Sequence, residues 1–488
     1  MRPKLRRRVR VAGATLLALL LTASAAQPVR AQTQDAKEQT PEVQQLKDRL
    51  RQLEQTVEEL KGQINSVENA QKKSDAATGA ATGVATGEAI AASSAPAADG
   101  GATPGKPPQD DNKNGGTFEV YGFAQLDTGY EFKQQQPDWF DVVRPTKLPA
   151  FKDEFGPDGH TFFGVRQTRL GVRSSSPTKY GELKTQFEFE LFGTGVDAGQ
   201  TTFRLRHAYG ELGHFGAGQT WSVFMDPDVF PNSLEYWGPN GMVFFRNVQV
   251  RWMPIKGRSR VTVALERPGA SGDQGNFADR IELQDIRPKF AWPDLTGQAR
   301  LGRDWGYVQA AGIVRSIRWV DKNDDQFDLG GSDVGWGINL SSNLKFGKND
   351  VGKFQVVYGE GIENYMNDAP VDVGPETNLG GDPRKPIKGV ALPVLGVVAF
   401  LDHTWSKKFS TSAGYSMLNI ENSNAQAPSA FRQGHYALGN LLYYPAEKVM
   451  VGGEFQFGRR QNFSDGWRVN DYRMQFSFKY NFSKVFEF

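Results

Sequence analysis

Arginine side chains lie on one face of three extended stretches of this sequence. The five positions are Arg169, Arg173, Arg204, Arg206 and Arg251. Alternate residues of a β-strand share a face, so Arg204 and Arg206 would lie opposite Phe203 and Leu205. The planar guanidinium group binds carboxylates and phosphates through paired hydrogen bonds. The spacing therefore indicates a surface suited to small anions.

Two carboxylates share this face. Glu188 and Glu190 lie on the stretch between the first two pairs of arginines and point in the same sense. The charge is therefore mixed, with a local excess of arginine. One interpretation is that the arginines sort anions from cations in a channel. The other is that they pair with the glutamates and stiffen a wall. Both can hold, because cations facing acids across a constriction still discriminate by charge.

Residue patterns for catalysis and for metal binding are missing from the sequence. The five histidines are scattered, no Gly-x-Ser-x-Gly run occurs, and there is no cysteine. We therefore predict no catalytic residue, no metal site and no cofactor, and we expect that the protein is not an enzyme. A hydrolase with a serine and a histidine on different strands is the weakest alternative.

The stretch from Tyr472 to Phe482 indicates which elements position these side chains. Its apolar face consists of Tyr472, Met474, Phe476, Phe478, Tyr480 and Phe482. The opposite face carries Arg473 and Lys479, so it must contact water. A tilted strand of about ten such residues crosses a bilayer. The sequence has no apolar run of about 18 residues that could cross as a helix.

The same alternation recurs through residues 117–488, which we assign to one domain. Tight turns alternate with long loops rich in Gly, Asp, Asn and Pro, as in up-and-down outer-membrane barrels. The predicted fold class is an all-β transmembrane barrel of about sixteen antiparallel strands, preceded by an α-helical coiled coil. Counts of fourteen or eighteen strands are also compatible with the sequence, because the stretch near Pro288 and Pro293 shows little alternation. A soluble β-sandwich would not need so many Phe and Tyr on one face.

The segment 227–241 differs from the polar loops expected outside a barrel. It is long and rich in apolar and aromatic residues, so it needs a surface on which to pack. We predict that it folds back into the lumen as a constriction loop. Packing against a neighbouring subunit is the alternative. The candidate constriction residues are Asp226, Phe230, Asn232, Glu235, Tyr236 and Trp237.

The N-terminus has the features of a secretory signal peptide. Six basic residues precede a short apolar core at 11–21, and small residues follow. We assign residues 1–31 to the signal, with cleavage after Ala25, Ala26 or Ala31. Those six charges exceed the whole formal excess of +2, so the mature chain is acidic. No nucleic-acid partner is therefore expected.

A heptad pattern follows at 41–70. Apolar residues fill the a and d positions of four heptads, namely Val43, Leu46, Leu50, Leu53, Val57, Leu60, Ile64 and Val67. This narrow stripe predicts a parallel coiled coil in the periplasm and hence a homo-oligomer, with two or three helices left open. Residues 74–116 are mostly Ala, Gly, Ser, Thr and Pro, which predicts a flexible linker.

Three runs of residues resemble the DcaP-type trimeric porins. They are Thr161-Phe-Phe-Gly-Val-Arg-Gln-Thr-Arg-Leu-Gly171, Phe203-Arg-Leu-Arg-His-Ala-Tyr-Gly210 and Gly218-Gln-Thr-Trp-Ser-Val-Phe-Met-Asp226. The resemblance implies a trimer of sixteen-stranded barrels, each with its own pore and an inward-folded third loop. It also implies passage of small anions, notably dicarboxylates, guided by arginines. Arg166, Arg169, Arg204 and Arg206 match the family's basic stretches, although strict alternation puts Arg166 on the opposite face from Arg169.

These features together predict a porin of the bacterial cell outer membrane. It would allow passive diffusion of small hydrophilic solutes, in particular anions such as dicarboxylates, through an arginine-lined constriction. The expected partners are outer-membrane lipid, two further copies of the chain and small anionic solutes. The alternative function is a mainly structural anchor, in which the coiled coil contacts the cell wall and tethers the envelope.

Overall fold

The computed structural model describes residues 115–488. The predicted signal peptide, the coiled coil and the linker as far as residue 114 lie outside the described residues, and these assignments stay predictions. No helix in the described part of the chain is long and apolar enough to cross a membrane.

Twenty β-strands and seven short 3-10 helices make up the described chain. The strands are β1 (Thr117–Glu131), β2 (His160–Gly164), β3 (Arg169–Thr178), β4 (Gly181–Phe192), β5 (Thr201–Leu212), β6 (Phe215–Trp221), β7 (Arg246–Ile255), β8 (Arg260–Glu266), β9 (Ile286–Pro288), β10 (Asp294–Arg303), β11 (Gly306–Asp321), β12 (Gly331–Phe346), β13 (Asp350–Glu360), β14 (Val373–Thr377), β15 (Ile387–Ala391), β16 (Pro393–Ser406), β17 (Phe409–Ile420), β18 (Phe431–Ala446), β19 (Val449–Asn462) and β20 (Arg468–Glu487). The 3-10 helices are Pro137–Trp139, Pro145–Lys147, Gly195–Asp197, Pro227–Val229, Gly275–Phe277, Ile281–Leu283 and Glu363–Tyr365.

The first and last strands close the sheet into a barrel. β1 pairs antiparallel with β20 along its whole length, from Thr117 opposite Glu487 to Glu131 opposite Arg473. Closure pairs the two edges of the wall with each other, and unpaired edges could not be satisfied within a bilayer.

The wall of the barrel has sixteen antiparallel strands, which confirms the barrel part of the predicted fold class. β2 and β3 are two parts of one wall strand, because both pair with β1. β9 pairs only with the end of β11, and β14 and β15 form a separate hairpin. The poorly patterned stretch near Pro288 is therefore a short addition to the wall and adds no seventeenth strand.

Strand β20 shows which side of the wall faces lipid. Its even-numbered residues Tyr472 to Tyr480 are exposed on the outer surface, whereas Arg473, Gln475 and Lys479 are buried on the inner side. Apolar side chains therefore cover the outside, and polar side chains line the inside, as in membrane barrels.

The connections differ in length at the two ends of the barrel. Tight turns such as 178–181, 255–260 and 346–350 lie at the same end as Gly116 and Phe488, whose backbones are hydrogen bonded. Long connections such as 131–160 and 266–294 lie at the other end. In outer-membrane barrels the short turns face the periplasm and the long loops face outward.

The apolar core of this protein lies inside the barrel. Residues 132–159, 222–245 and 361–372 fold inward, and their apolar side chains form one cluster with inward-facing wall residues. The largest contributors from the loops are Trp139, Phe224, Tyr236, Trp237, Phe244, Tyr365 and Met366. We call residues 222–245, between β6 and β7, the third loop.

Candidate channel constriction

The third loop is held inside its own barrel by polar side chains of several wall strands. The side-chain amide of Asn339 on β12 donates to the Phe224 carbonyl at 2.9 Å. The hydroxyl of Ser416 on β17 accepts from the Gly241 amide, also at 2.9 Å. The loop thus buries its apolar residues within one subunit and does not need a neighbouring subunit to cover them.

Asp226 fixes the beginning of the third loop to the wall. Its carboxylate pairs with Arg300 on β10 and accepts hydrogen bonds from Tyr307 at 2.8 Å and Ser341 at 2.6 Å. Arg300 also pairs with Asp228 in the same loop. These partners satisfy the oxygens of a fully buried carboxylate, so Asp226 anchors the beginning of the loop.

Phe230 and Asn232 lie farther along the loop, against strands β13, β16 and β18. The Lys353 ammonium donates to the Phe230 carbonyl at 2.5 Å. The backbone N–H of Asn232 donates to Asp402 at 3.3 Å, and its carbonyl accepts from the Asn440 amide at 2.8 Å. Both residues are therefore joined to the wall largely through their backbone groups.

Glu235 is wholly buried and organises the turn that follows it. It accepts hydrogen bonds from the backbone N–H groups of Val143 at 3.1 Å and Trp237 at 2.9 Å, and from that of Gly238. The Tyr436 hydroxyl donates to it at 3.0 Å. Burial raises the pKa of Glu235 to about 7, although the backbone donors oppose this shift.

Tyr236 and Trp237 are also fully buried and join the loops to one another. The Tyr236 ring stacks on Phe192 with centroids 3.9 Å apart. Trp237 meets Trp139 edge to face at 4.9 Å, and the Arg144 guanidinium lies 3.8 Å from the Trp237 ring centroid. These contacts combine aromatic packing with a cation–π interaction.

Four arginines surround two glutamates on the wall beside Tyr236. We call this group the arginine cluster, and its members are Arg169, Arg204, Arg206, Arg246, Glu188 and Glu190. Arg206 makes the shortest contacts, at 2.5 Å to Glu188 and 2.6 Å to Glu190. The cluster carries two more positive than negative charges, and its glutamates are almost completely buried.

The other arginines of the cluster lie farther from the glutamates. Arg169 approaches Glu188 at 3.6 Å and Glu190 at 3.7 Å. Arg204 and Arg246 approach Glu190 at 3.6 Å and 3.5 Å. Both terminal nitrogens of Arg204 lack a hydrogen-bond partner among the described residues, and its side chain is 14% exposed. These two nitrogens are themselves buried, as are the unpartnered Nε and one terminal nitrogen of Arg169. Arg204 is distinguished by having the most exposed side chain of the four arginines.

Two of the predicted arginines lie outside the cluster, nearer the end with tight turns. Arg173 pairs with Glu119 at 2.5 Å, and 47% of its side chain is exposed. Arg251 donates to the Trp221 carbonyl at 2.7 Å and to Gln249 at 3.0 Å. The structure thus brings Arg169, Arg204, Arg206 and both glutamates together, and it separates Arg173 and Arg251 from them.

The orientation that strict alternation gives Arg166 is wrong. The wall strand is interrupted between Gly164 and Arg169, so the alternation does not continue through this segment. Arg166 is 1% exposed and points inward, where it pairs with Asp141 at 2.5 Å and donates to the Gly193 carbonyl at 2.9 Å. It holds two inward connections in place and does not belong to the arginine cluster.

Sequence reasoning missed Arg246 and the buried pair of Arg144 and Asp368. Arg246 begins β7 directly after the third loop, where a single arginine gives no alternation to recognise. Arg144 pairs with Asp368 at 2.9 Å across 224 positions of sequence, a separation that no local pattern can indicate. An isolated arginine among apolar loop residues was the only available signal.

A closed sixteen-stranded barrel with an apolar outer surface, polar inner surface and inward-folded third loop is the architecture of outer-membrane porins. A family model described as DcaP outer membrane protein matches residues 119–482. The chain therefore belongs to the DcaP outer membrane protein family, and its location is the outer membrane.

Solved structures with the same fold include two named channels. The outer membrane channel DcaP of Acinetobacter baumannii is 19% identical, with a TM-score of 0.63 over 75% of this chain and 98% of that chain. The anion-selective porin from Comamonas acidovorans is 10% identical, with a TM-score of 0.50 over 75% of this chain and 100% of that chain. No curated protein sequence matches this one significantly. At these identities the structural likenesses establish the fold alone.

Proposed function

We propose that this protein is an anion-preferring porin whose narrow zone lies between the third loop and the arginine cluster. The observation that carries the proposal is the ratio of four arginines to two glutamates beside the buried loop. A net positive field in a narrow channel concentrates small anions and speeds their entry.

Arg204 is the residue that we expect to contact a passing solute. Its terminal nitrogens are unpartnered within the described chain, whereas Arg206 is already engaged by both glutamates. A guanidinium with free donors can bind a carboxylate through two parallel hydrogen bonds. In this proposal Glu188 and Glu190 hold the four arginines in place. The same ion pairs therefore stiffen the wall and position the arginines that select anions.

The constriction residues divide into two roles in this proposal. Tyr236 and Glu235 set the position of the third loop, and Asp226 anchors its beginning. Phe230, Asn232 and Trp237 fill the space between loop and wall. Arg173 and Arg251 would lie along the periplasmic exit. Dicarboxylates are the proposed solutes because two carboxylates could engage successive arginines.

We also propose a homotrimer, supported by the heptad pattern at 41–70 and by the family assignment. The structural-anchor function remains a second candidate because three inward-folded loops pack into one apolar cluster inside the barrel. Such packing reduces the space for solutes and would suit a barrel whose main task is to hold the coiled coil at the outer membrane.

The deciding experiment is the reversal potential of the purified full-length protein in planar bilayers under a salt gradient. An anion-selective conductance in threefold steps supports the trimeric anion porin. A cation-selective conductance would refute the arginine argument. A barrel that inserts without conducting would favour the anchor function, and retention of the coiled coil on purified peptidoglycan would strengthen that conclusion.

A further inference from the structure

Three basic residues face outward where β9 pairs with the end of β11. We call Arg287, Lys289 and Arg318 the outer cationic patch; all three are exposed. Arg287 is paired with Asp285 at 2.8 Å. Lys289 and Arg318 have no ion pair within the described residues, and the Arg318 side chain donates only to the neutral Ser316 hydroxyl, at 3.3 Å.

Lys289 and Arg318 lie directly opposite each other on neighbouring strands. The register places Pro288 opposite Trp319, and the Lys289 amide donates to the Arg318 carbonyl at 2.8 Å. Directly opposed side chains share a face, and like charges in this arrangement destabilise a sheet. This arrangement is therefore suited to an anion that binds both side chains from outside the barrel.

The patch lies at the edge of the lipid-facing surface, on the side of the long loops. Arg318 is twelve residues beyond Gly306, where β11 leaves its tight turn. At about 3.3 Å per residue and a tilt of roughly 40°, this places Arg318 roughly 30 Å above the turn. Val308 and Val314 expose an apolar surface below it. An apolar band about 25 Å tall that begins near Val308 ends close to Arg318, so Arg318 lies at the upper boundary of the band.

Exposed aromatic residues accompany the cations. Phe290 directly follows Lys289, Trp292 lies two residues farther on, and both are exposed. Aromatic rings prefer the boundary between hydrocarbon and headgroups, where an apolar ring can contact acyl chains or sugars. The patch thus combines cations for phosphate with aromatic residues at the depth where a glycolipid changes from chain to headgroup.

We infer that the outer cationic patch binds the phosphate groups of an anionic glycolipid in the outer leaflet. Arg318 would hold phosphate oxygens through its planar fork, Lys289 would add a point charge, and the bound phosphate would relieve the repulsion between them. This site lies on the outside of the wall, so it does not depend on what passes through the lumen.

The test uses the full-length protein in detergent with lipid A carrying two phosphates, and it measures the temperature at which the folded barrel unfolds on gels. Lipid A is expected to stabilise the wild type with a saturable dependence on concentration. In K289Q/R318Q the apparent affinity should fall roughly 10- to 30-fold, because each cation at an anionic lipid surface contributes measurably to binding. The matched control K407Q/K408Q removes two exposed cations at a periplasmic turn and should behave like the wild type.

Three results of this binding test would overturn the inference. These are an unchanged affinity in K289Q/R318Q, equal stabilisation by dephosphorylated lipid A, and saturation of the effect by inorganic phosphate alone. A cross-link from position 318 to a second copy of the chain in place of lipid would also refute it. Planar-bilayer conductance of K289Q/R318Q should equal that of the wild type, so a failure here is distinguishable from a failure of the porin proposal.

Discussion

Tyr236 donates a hydrogen bond to Glu190, the carboxylate that all four arginines of the arginine cluster approach. This one contact connects the third loop to the arginine cluster. The positions of the third loop and of the arginine cluster therefore depend on each other. A substitution in the loop is expected to displace the cluster, and a substitution in the cluster is expected to displace the loop.

Tyr236→Phe tests this connection. Removing the hydroxyl eliminates a hydrogen bond to a buried charged group, which typically contributes about 1.5–3 kcal/mol. We expect a lower unfolding temperature and a noisier open channel, because the loop is less firmly held. Tyr209→Phe is the control, since its hydroxyl donates to Glu211 at 3.0 Å, away from the arginine cluster. Equal effects of the two substitutions would contradict a special role for Tyr236.

Arg204→Gln should shift ion preference toward cations while the barrel stays folded. Arg204 contributes a positive charge but makes only a 3.6 Å contact to Glu190. We expect the reversal potential under a salt gradient to move toward the value of a cation-selective channel. Arg173→Gln removes an arginine that is half exposed and outside the cluster, so it should shift the potential less. An unchanged potential in Arg204→Gln would refute its assignment.

Arg206→Gln should act mainly on stability. Arg206 is fully buried and pairs with both Glu188 and Glu190, so its loss leaves carboxylates in an environment that excludes water. Breaking a buried ion pair by removing one partner costs about 3–5 kcal/mol. Thermal unfolding should therefore show a larger loss for Arg206→Gln than for Arg204→Gln. The reverse order would contradict the structural division between these two arginines.

Glu235 gives the docked third loop a pH dependence. Its folded-state pKa is raised from 4.5 to about 7 by burial. A raised carboxyl pKa means that the folded state binds the proton more tightly, so the associated stability is complete below pH 4.5 and is lost as the pH rises through 7. We expect ionisation of Glu235 to lower the free energy of unfolding of the wild type by up to about 3 kcal/mol as the pH rises from 4.5 to 7.

Glu235→Gln should flatten this pH dependence of the unfolding temperature between pH 5 and pH 7.5. The amide cannot ionise, so the variant keeps one protonation state over the whole range. A profile identical to that of the wild type would show that Glu235 does not titrate in this window.

Gly241→Ala should displace the third loop from the wall. A Cβ atom at this position would lie 2.1 Å from the Met417 carbonyl oxygen and 2.9 Å from the Val397 amide nitrogen, both of which are backbone atoms. We expect a smaller single-channel conductance, because a loop that moves away from β16 and β17 moves toward the strands of the arginine cluster, which lie across the barrel. Gly439→Ala is the control, since a Cβ there meets nothing within 4 Å. Conductance unchanged in Gly241→Ala would argue against the loop as the narrow zone.

The sequence by itself determined the wall of this protein. The apolar residues from Tyr472 to Tyr480 alternate with polar residues such as Arg473 and Lys479, which indicates a strand with lipid on one side and water on the other. This can be seen in the sequence because local backbone geometry fixes the side-chain period of a strand. The same rule places Glu188, Glu190, Arg204 and Arg206 on the inner face. The apolar composition of 227–241 likewise indicated a loop that needs a covering surface.

The interior was decided only by the tertiary structure. Arg166 points inward because the strand is interrupted before Arg169, and no pattern in the sequence marks that break. Arg144 meets Asp368, and Glu235 meets Tyr436, across separations of more than 200 residues. The opposition of Lys289 and Arg318 likewise depends on the register between β9 and β11. Contacts of this kind depend on which loops share the lumen and on the register between distant strands, whereas local periodicity describes each strand alone.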